Sequence, residues 1–145
     1  MVRVLKAFFP AVVLAYVLAS ILFTQTILCA VQRMGLEVSV GIRLATTVED
    51  LIGMSSSYLL LILVAFILGL PVAAGLTRLL PTHRALLFTL AGFVAIVAIH
   101  MVMKAVLGIS GIAATRTLTG LLAQGVAGAV GGYCYHLLSL PRQSG

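Results

Sequence analysis

Four stretches of the sequence each run for roughly 20 residues with almost no charged side chain, and this feature constrains the fold most. They cover residues 8–28, 58–76, 85–107 and 117–138. An α-helix needs about 20 apolar residues to cross the hydrocarbon core of a bilayer. The sequence therefore predicts an all-α integral membrane protein in which four transmembrane helices form a small bundle, with residues 1–145 as a single membrane domain.

The low content of charged residues also indicates that lipid surrounds most of the chain. Only 8% of the 145 residues are Asp, Glu, Lys or Arg, whereas a soluble domain of this size carries about 25%. The formal net charge of +6 does not indicate nucleic-acid binding, because the basic residues mostly lie at the ends of the apolar stretches. There they anchor helices and meet anionic head groups. We therefore expect the lipid bilayer, and no nucleic acid, as a partner.

The distribution of basic residues predicts the orientation of the helices. Short loops that carry Lys and Arg tend to stay in the cytoplasm. One side of the predicted bundle carries five such residues in short segments: Arg3, Lys6, Arg78, Arg84 and Arg142. The other side carries four, spread over longer segments: Arg33, Arg43, Lys104 and Arg116. The sequence thus predicts a multi-pass protein of the cell membrane with both termini in the cytoplasm, and the short loops favour a bacterial inner membrane.

The outer loop, residues 29–57, has a pattern of its own. Apolar and polar residues alternate over 36–43, which predicts a short extended piece. Apolar residues then recur at helical spacing, and Thr46 precedes Glu49 by three positions, as in a capping box. We expect a short amphipathic helix on the membrane surface. Glu49 and Asp50, on its polar side, are the candidate outer-loop acids.

Small residues recur every four positions in the predicted helices, most clearly in the fourth. Gly120, Gly128 and Gly132 share one face with Gln124. Such a face lets another backbone approach closely, and the amide can donate a hydrogen bond across the contact. Two interpretations stay open, since the face can pack inside its own bundle or against a second copy of the chain.

Polar side chains at membrane depth are functional candidates by default. At 1.5 Å per helical residue, Gln25, His100 and Gln124 come to similar depths, with Lys104 one turn beyond His100. These four residues form a candidate polar layer, in which Lys104 would pair with an outer-loop acid. Either the layer is an interhelical hydrogen-bond network that fixes helix register, or it is a solute or proton site built on the histidine and the lysine.

Two tyrosines of the predicted membrane segments, Tyr16 and Tyr58, receive different interpretations. Tyr16 lies at mid-membrane, so its hydroxyl should donate to a backbone or Ser/Thr acceptor on a neighbouring helix. Tyr58, at the start of the second apolar stretch, has the position of an interface anchor.

The sequence predicts no catalytic residues, no cofactor and no metal site. The three histidines, His83, His100 and His136, fall at depths that do not allow two of them to hold one haem in the bundle core. Cys29 and Cys134 lie at opposite ends, too far apart for a disulfide bond.

These features together predict a non-enzymatic accessory, assembly or scaffolding component that acts through helix–helix packing. Its partner would be another membrane protein or a second copy of the chain. The alternative is a small-solute, ion or proton transporter or channel subunit that uses the polar layer around His100 and Lys104.

Overall fold

The computed structural model describes residues 2–108 and 113–140, and every regular element within these ranges is helical. The described α-helices are α1 (Val2–Arg33), α2 (Val40–Gly53), α3 (Tyr58–Leu79), α4 (Arg84–Leu107) and α5 (Leu118–Ser139). Short 3-10 helices at Pro81–His83 and Ala113–Arg116 join the last three. The prediction of an all-helical fold is confirmed. Arg142, one of the basic residues from which the orientation is predicted, lies outside the described residues.

Three segments of the described chain are long and apolar enough to cross a membrane: Val2–Arg33, Tyr58–Leu79 and Pro81–Val106. The sequence predicts four such segments, so length and composition support three of them. α5 is not among the three, because its glycines and its amide, phenol and imidazole side chains lower its mean hydropathy.

Helices α1, α3, α4 and α5 pack as a bundle in which α5 contacts both α1 and α4, and α3 packs on α4. The buried side chains include many alanines: Ala7, Ala11, Ala15, Ala19, Ala65, Ala73 and Ala127. The exposed ones are mostly large and apolar, among them Val13, Val64, Leu68, Val72, Leu90, Val94, Val102 and Val126. The bundle thus packs many small residues inward together with a few bulky ones such as Phe66, and presents most of its large aliphatic residues to the surroundings.

The backbones of α4 and α5 approach each other closely. A Cβ atom added at Gly92 would collide with the carbonyl group of Gly128, and one added at Gly128 would collide with the carbonyl group of Gly92. Gly132 is likewise seated on the carbonyl oxygen of Phe88. We call these residues the glycine seam; only residues without a side chain allow two helix axes to come so near.

α2 begins at Val40, earlier than the sequence pattern predicts. The side chain of Ser39 caps it, since its Oγ accepts a hydrogen bond from the backbone N–H of Ile42 at 3.2 Å. The predicted capping box at Thr46 is therefore wrong, because this residue lies inside the helix. The predicted extended piece at 36–43 is wrong in its second half, where the apolar residues also fit a helical row.

α1 ends at a turn in which Gly35 has a positive φ of 86°, and the chain then folds back along α1. Arg43 of α2 contacts the C-terminal part of α1, and the carbonyl oxygen of Leu51 accepts a hydrogen bond from Tyr16, further back along α1. α2 therefore runs antiparallel to α1 and packs lengthwise on it. The sequence pattern predicts the amphipathic helix but not this contact.

The polar side of α2 faces the protein, and its apolar side faces outward. Its partly buried polar residues, Arg43, Thr47 and Asp50, bond to α1 or to their own helix. Its row of apolar residues points away from the protein and is exposed: Val40, Leu44, Val48 and Ile52. Like the helices of the bundle, α2 therefore presents aliphatic side chains to the surroundings.

Candidate functional site

The buried polar side chains of the described residues lie at one end of the bundle, the end at which α3 begins; we call it the Tyr58 end. They are Ser20, Thr24, His100, Thr115 and Gln124. Toward the opposite end the bundle core consists of alanines together with Ile62, Phe66, Leu70 and other apolar residues. The five side chains therefore gather at the Tyr58 end, whereas the phenol of Tyr135 is buried in the otherwise apolar part of the core.

Gln124 is the centre of this polar region and is fully buried. Its Oε1 accepts a hydrogen bond from the hydroxyl of Tyr58, and its Nε2 donates one to the carbonyl oxygen of Ala19 at 3.2 Å. This single amide therefore connects α5 to both α3 and α1. Tyr58 is only 3% exposed, so its predicted role as an interface anchor is wrong, and it is a core residue.

His100 lies beside Tyr58, with the two rings in an edge-to-face arrangement and their centroids 5.8 Å apart. Its Nδ1 is 2.7 Å from the carbonyl oxygen of Ile96, one turn earlier in α4. Because a carbonyl oxygen can only accept, Nδ1 carries the proton. Nε2 is buried and has no hydrogen-bond partner among the described residues.

Lys104 is exposed and lines an open pocket together with His100. The sequence predicts Glu49 or Asp50 as its partner, and no such pair is present among the residues that the structure describes. Asp50 accepts a hydrogen bond from Thr24 Oγ1 at 2.7 Å instead, while Glu49 is exposed. The prediction failed because the folding of α2 onto α1 turns Asp50 toward α1.

Gln25 is separated from the other members of the predicted layer by its contacts with α2. Its Oε1 accepts a hydrogen bond from Arg43 at 2.6 Å, and its Nε2 donates to Thr47 Oγ1 at 3.4 Å. The second guanidinium nitrogen of Arg43 donates to Gln32 at 2.6 Å. Gln25 therefore belongs to the α1–α2 contact, whereas His100 and Gln124 share the bundle core.

The hydroxyl of Tyr16 donates to the carbonyl oxygen of Leu51 in α2. This confirms the expectation of an acceptor on a neighbouring helix. The bond fixes the C-terminal turn of α2 against α1, just before the chain enters α3.

The structure places the predicted helix-packing face of α5 against neighbouring helices of the same chain. Gly120 is buried, and Gly128 and Gly132 form the glycine seam with α4. Their partner Gly92 was not singled out from the sequence. Because α4 covers the seam, these two glycines are not available to a second copy of the chain.

At the opposite end, Arg84 connects α4 to the C-terminus of α5, a contact that sequence reasoning missed. Its guanidinium donates to Ser139 Oγ at 2.7 Å and lies over the ring of Phe88, 5.5 Å from the ring centroid. The basic turn around Arg84 was the available signal, but the sequence does not indicate that the C-terminal end of α5 lies beside this turn.

The described residues contain no cluster of three or more His, Cys, Asp or Glu side chains that could hold a metal ion. Cys29 is exposed and Cys134 is half-buried, and both are free thiols. Comparison of the chain with protein-family models, with curated proteins and with solved structures finds no match.

Proposed function

We propose that the chain is a multi-pass protein of a bacterial inner membrane, in which α1, α3, α4 and α5 cross the bilayer. The observation that carries this proposal is the distribution of its side chains: many alanines and glycines pack inward, while most leucines and valines are exposed. In water such a surface would aggregate. In lipid it is stable, because helices there associate by close packing of small residues.

The position of α5 supports counting it as a fourth span despite its lower hydropathy. Its polar and small residues, Gly120, Gln124, Gly128 and Gly132, are buried against α1 and α4. Leu122, Val126 and Val130, which face outward, are exposed. The lipid would therefore meet the apolar side of α5, and the neighbouring helices satisfy its polar side.

The exposed apolar row of α2 supports contact of this helix with lipid as well. α1 has 32 residues and is about 48 Å long at 1.5 Å per residue, which exceeds a hydrocarbon core of about 30 Å. α2 lies along α1 between the levels of Arg43 and Leu51. α2 would cover the outer part of α1, which extends beyond the start of α3, with its apolar row toward lipid.

Within the membrane we propose a non-enzymatic accessory, assembly or scaffolding role that the protein fulfils through its helix faces. The glycine seam and the bonds of Gln124 support a rigid bundle. The buried Ser, Thr, His and Gln side chains of the described bundle lie at the Tyr58 end and do not continue along its length, as a polar transport path would require. The transport alternative stays a prediction with less support than the scaffold.

One face offers a test of the scaffold proposal. A groove of about 650 Å³ runs between α3 and α4, and small residues form its floor: Ala65, Gly69, Ala73, Ala91 and Ala95. A photo-crosslinking side chain at Val72, which lines the groove and is exposed, should yield an adduct with a partner protein or a second copy. The matched control is Val13 on α1, which is also exposed but lies outside the groove. Adducts with lipid alone at both positions would contradict a scaffolding role.

A further inference from the structure

An open pocket of about 460 Å³ lies at the Tyr58 end, between the last turns of α4, the 3-10 helix Ala113–Arg116 and the start of α5. Its lining residues are His100, Met101, Lys104, Ala105, Thr115 and Leu121. The pocket therefore combines an imidazole and an ammonium group, one turn apart on α4, with walls of aliphatic and thioether side chains.

His100 lines this pocket, and its imidazole carries a buried acceptor. The bond from Nδ1 to Ile96 places the proton of the neutral ring on Nδ1, which leaves a lone pair on Nε2. The side chain is only 4% exposed, and Nε2 has no hydrogen-bond partner among the described residues. A buried acceptor without a donor is costly, so a ligand that donates a hydrogen bond to Nε2 would be favoured.

The ammonium group of Lys104 lies at the level of lipid phosphates if α4 crosses the membrane from Arg84. The two residues are twenty positions apart in one continuous helix, which is about 30 Å at 1.5 Å per residue and matches the thickness of the hydrocarbon core. At this boundary a lysine side chain extends into the head-group region and attracts anions.

We propose that this pocket binds a phosphoglycerol group, whose phosphate pairs with Lys104 and whose hydroxyl donates to His100 Nε2. The apolar walls at Met101 and Leu121 suit the glycerol carbons and the start of an acyl chain. The inference rests on the proposed membrane insertion of α4. A phosphocholine group would satisfy neither nitrogen as well, because its phosphate is masked by a cation and it carries no hydroxyl.

The test uses the full chain in nanodiscs, with ¹⁵N-labelled histidine observed by NMR. His100 is assigned by the signal that the H100N variant loses. In phosphatidylcholine nanodiscs the Nε2 resonance should be that of an unprotonated nitrogen in a neutral ring. Addition of phosphatidylglycerol should move it toward the value of a hydrogen-bonded acceptor, and the signals of His83 and His136 should stay in place.

The K104M variant separates the role of the charge from that of the imidazole. It should weaken the response to phosphatidylglycerol by about fivefold, the effect of one basic residue near an anionic surface. The matched control is K6M, since Lys6 is the other lysine of the chain and lies at the far end of α1. K6M should respond like the wild type.

Free glycerol 3-phosphate, added to phosphatidylcholine nanodiscs, distinguishes a lipid from a soluble ligand. A response to the free compound assigns the site to a soluble phosphoglycerol, and a response to phosphatidylglycerol alone assigns it to lipid; both outcomes support the proposal. An unchanged Nε2 resonance under all conditions, or equal responses of K104M and K6M, would overturn it and leave membrane insertion intact. Failure of the chain to enter nanodiscs would overturn both proposals.

Discussion

The hydroxyl of Tyr58 donates a hydrogen bond to Oε1 of Gln124, which joins the first turn of α3 to the second turn of α5 across 66 positions of sequence. Both side chains are buried, and Gln124 uses its other amide atom to bond α1. Three helices are therefore held in register at one level of the bundle. In an apolar medium such bonds are the specific part of helix association, because aliphatic contacts with lipid and with protein are nearly equivalent.

Removal of this bond should destabilise the bundle by a measurable amount. We expect Y58F to lower the free energy of unfolding by about 1 kcal/mol, the usual size of an interhelical hydrogen bond in membrane proteins. Unfolding in a mixed detergent system measures this value. Y133F is the matched control, because Tyr133 is 46% exposed and should be almost neutral.

A double-mutant cycle of Y58F and Q124L tests whether the two side chains act on each other. A coupling free energy near 1 kcal/mol is expected for a direct bond. Strict additivity of the two single variants would contradict the bond.

The glycine seam predicts a strong position dependence of Gly→Ala changes. G128A should lower the free energy of unfolding by about 2 kcal/mol, because its Cβ would collide with the backbone of Gly92 and force α4 and α5 apart. G75A is the matched control in another bundle helix, since a Cβ at Gly75 meets no atom within 4 Å. Thermal unfolding of both variants in the same detergent is the measurement. Equal effects of the two changes would rule out the close α4–α5 contact.

The α1–α2 contact should open independently of the bundle. T24V removes the hydrogen bond to Asp50, so the backbone amides of α2 should exchange with deuterium about tenfold faster, as expected for loss of a hydrogen bond to a charged group. Amides of α4 and α5 should keep their protection. E49Q is the control because Glu49 is exposed. Faster exchange throughout the chain would show that α2 is part of the cooperative core.

Much of the helical architecture could be predicted from the sequence, because long apolar stretches admit few alternatives. The spacing of Gly120, Gly128 and Gly132 indicated a small-residue face of α5, and these glycines are buried, but the partner of the face could not be derived. Gly92 stands alone among alanines and bulky residues in α4, and its role depends on the relative rotation of two helices. Periodicity within one helix carries no information on that rotation.

For the candidate polar layer, the sequence likewise indicates the depth of each residue but not the direction of its side chain. Depth along each helix placed His100 and Gln124 at a common level, and the structure brings both next to Tyr58. Gln25 has a similar depth but points toward α2. The direction of its side chain depends on the folding of α2 along α1. The alternating pattern at 36–43 indicated an extended segment, although α2 begins at Val40.

The central claim is that α5 crosses the membrane together with the three more apolar helices, and the sidedness of its two ends tests it most directly. Single cysteines replace Arg116 or Leu140, which flank α5, in a C29A/C134A background. In intact cells a membrane-impermeant maleimide should label the cysteine at position 116 and not the one at 140, which should react only after the membrane is opened. Labelling of both positions from the same side would contradict the four-helix membrane bundle.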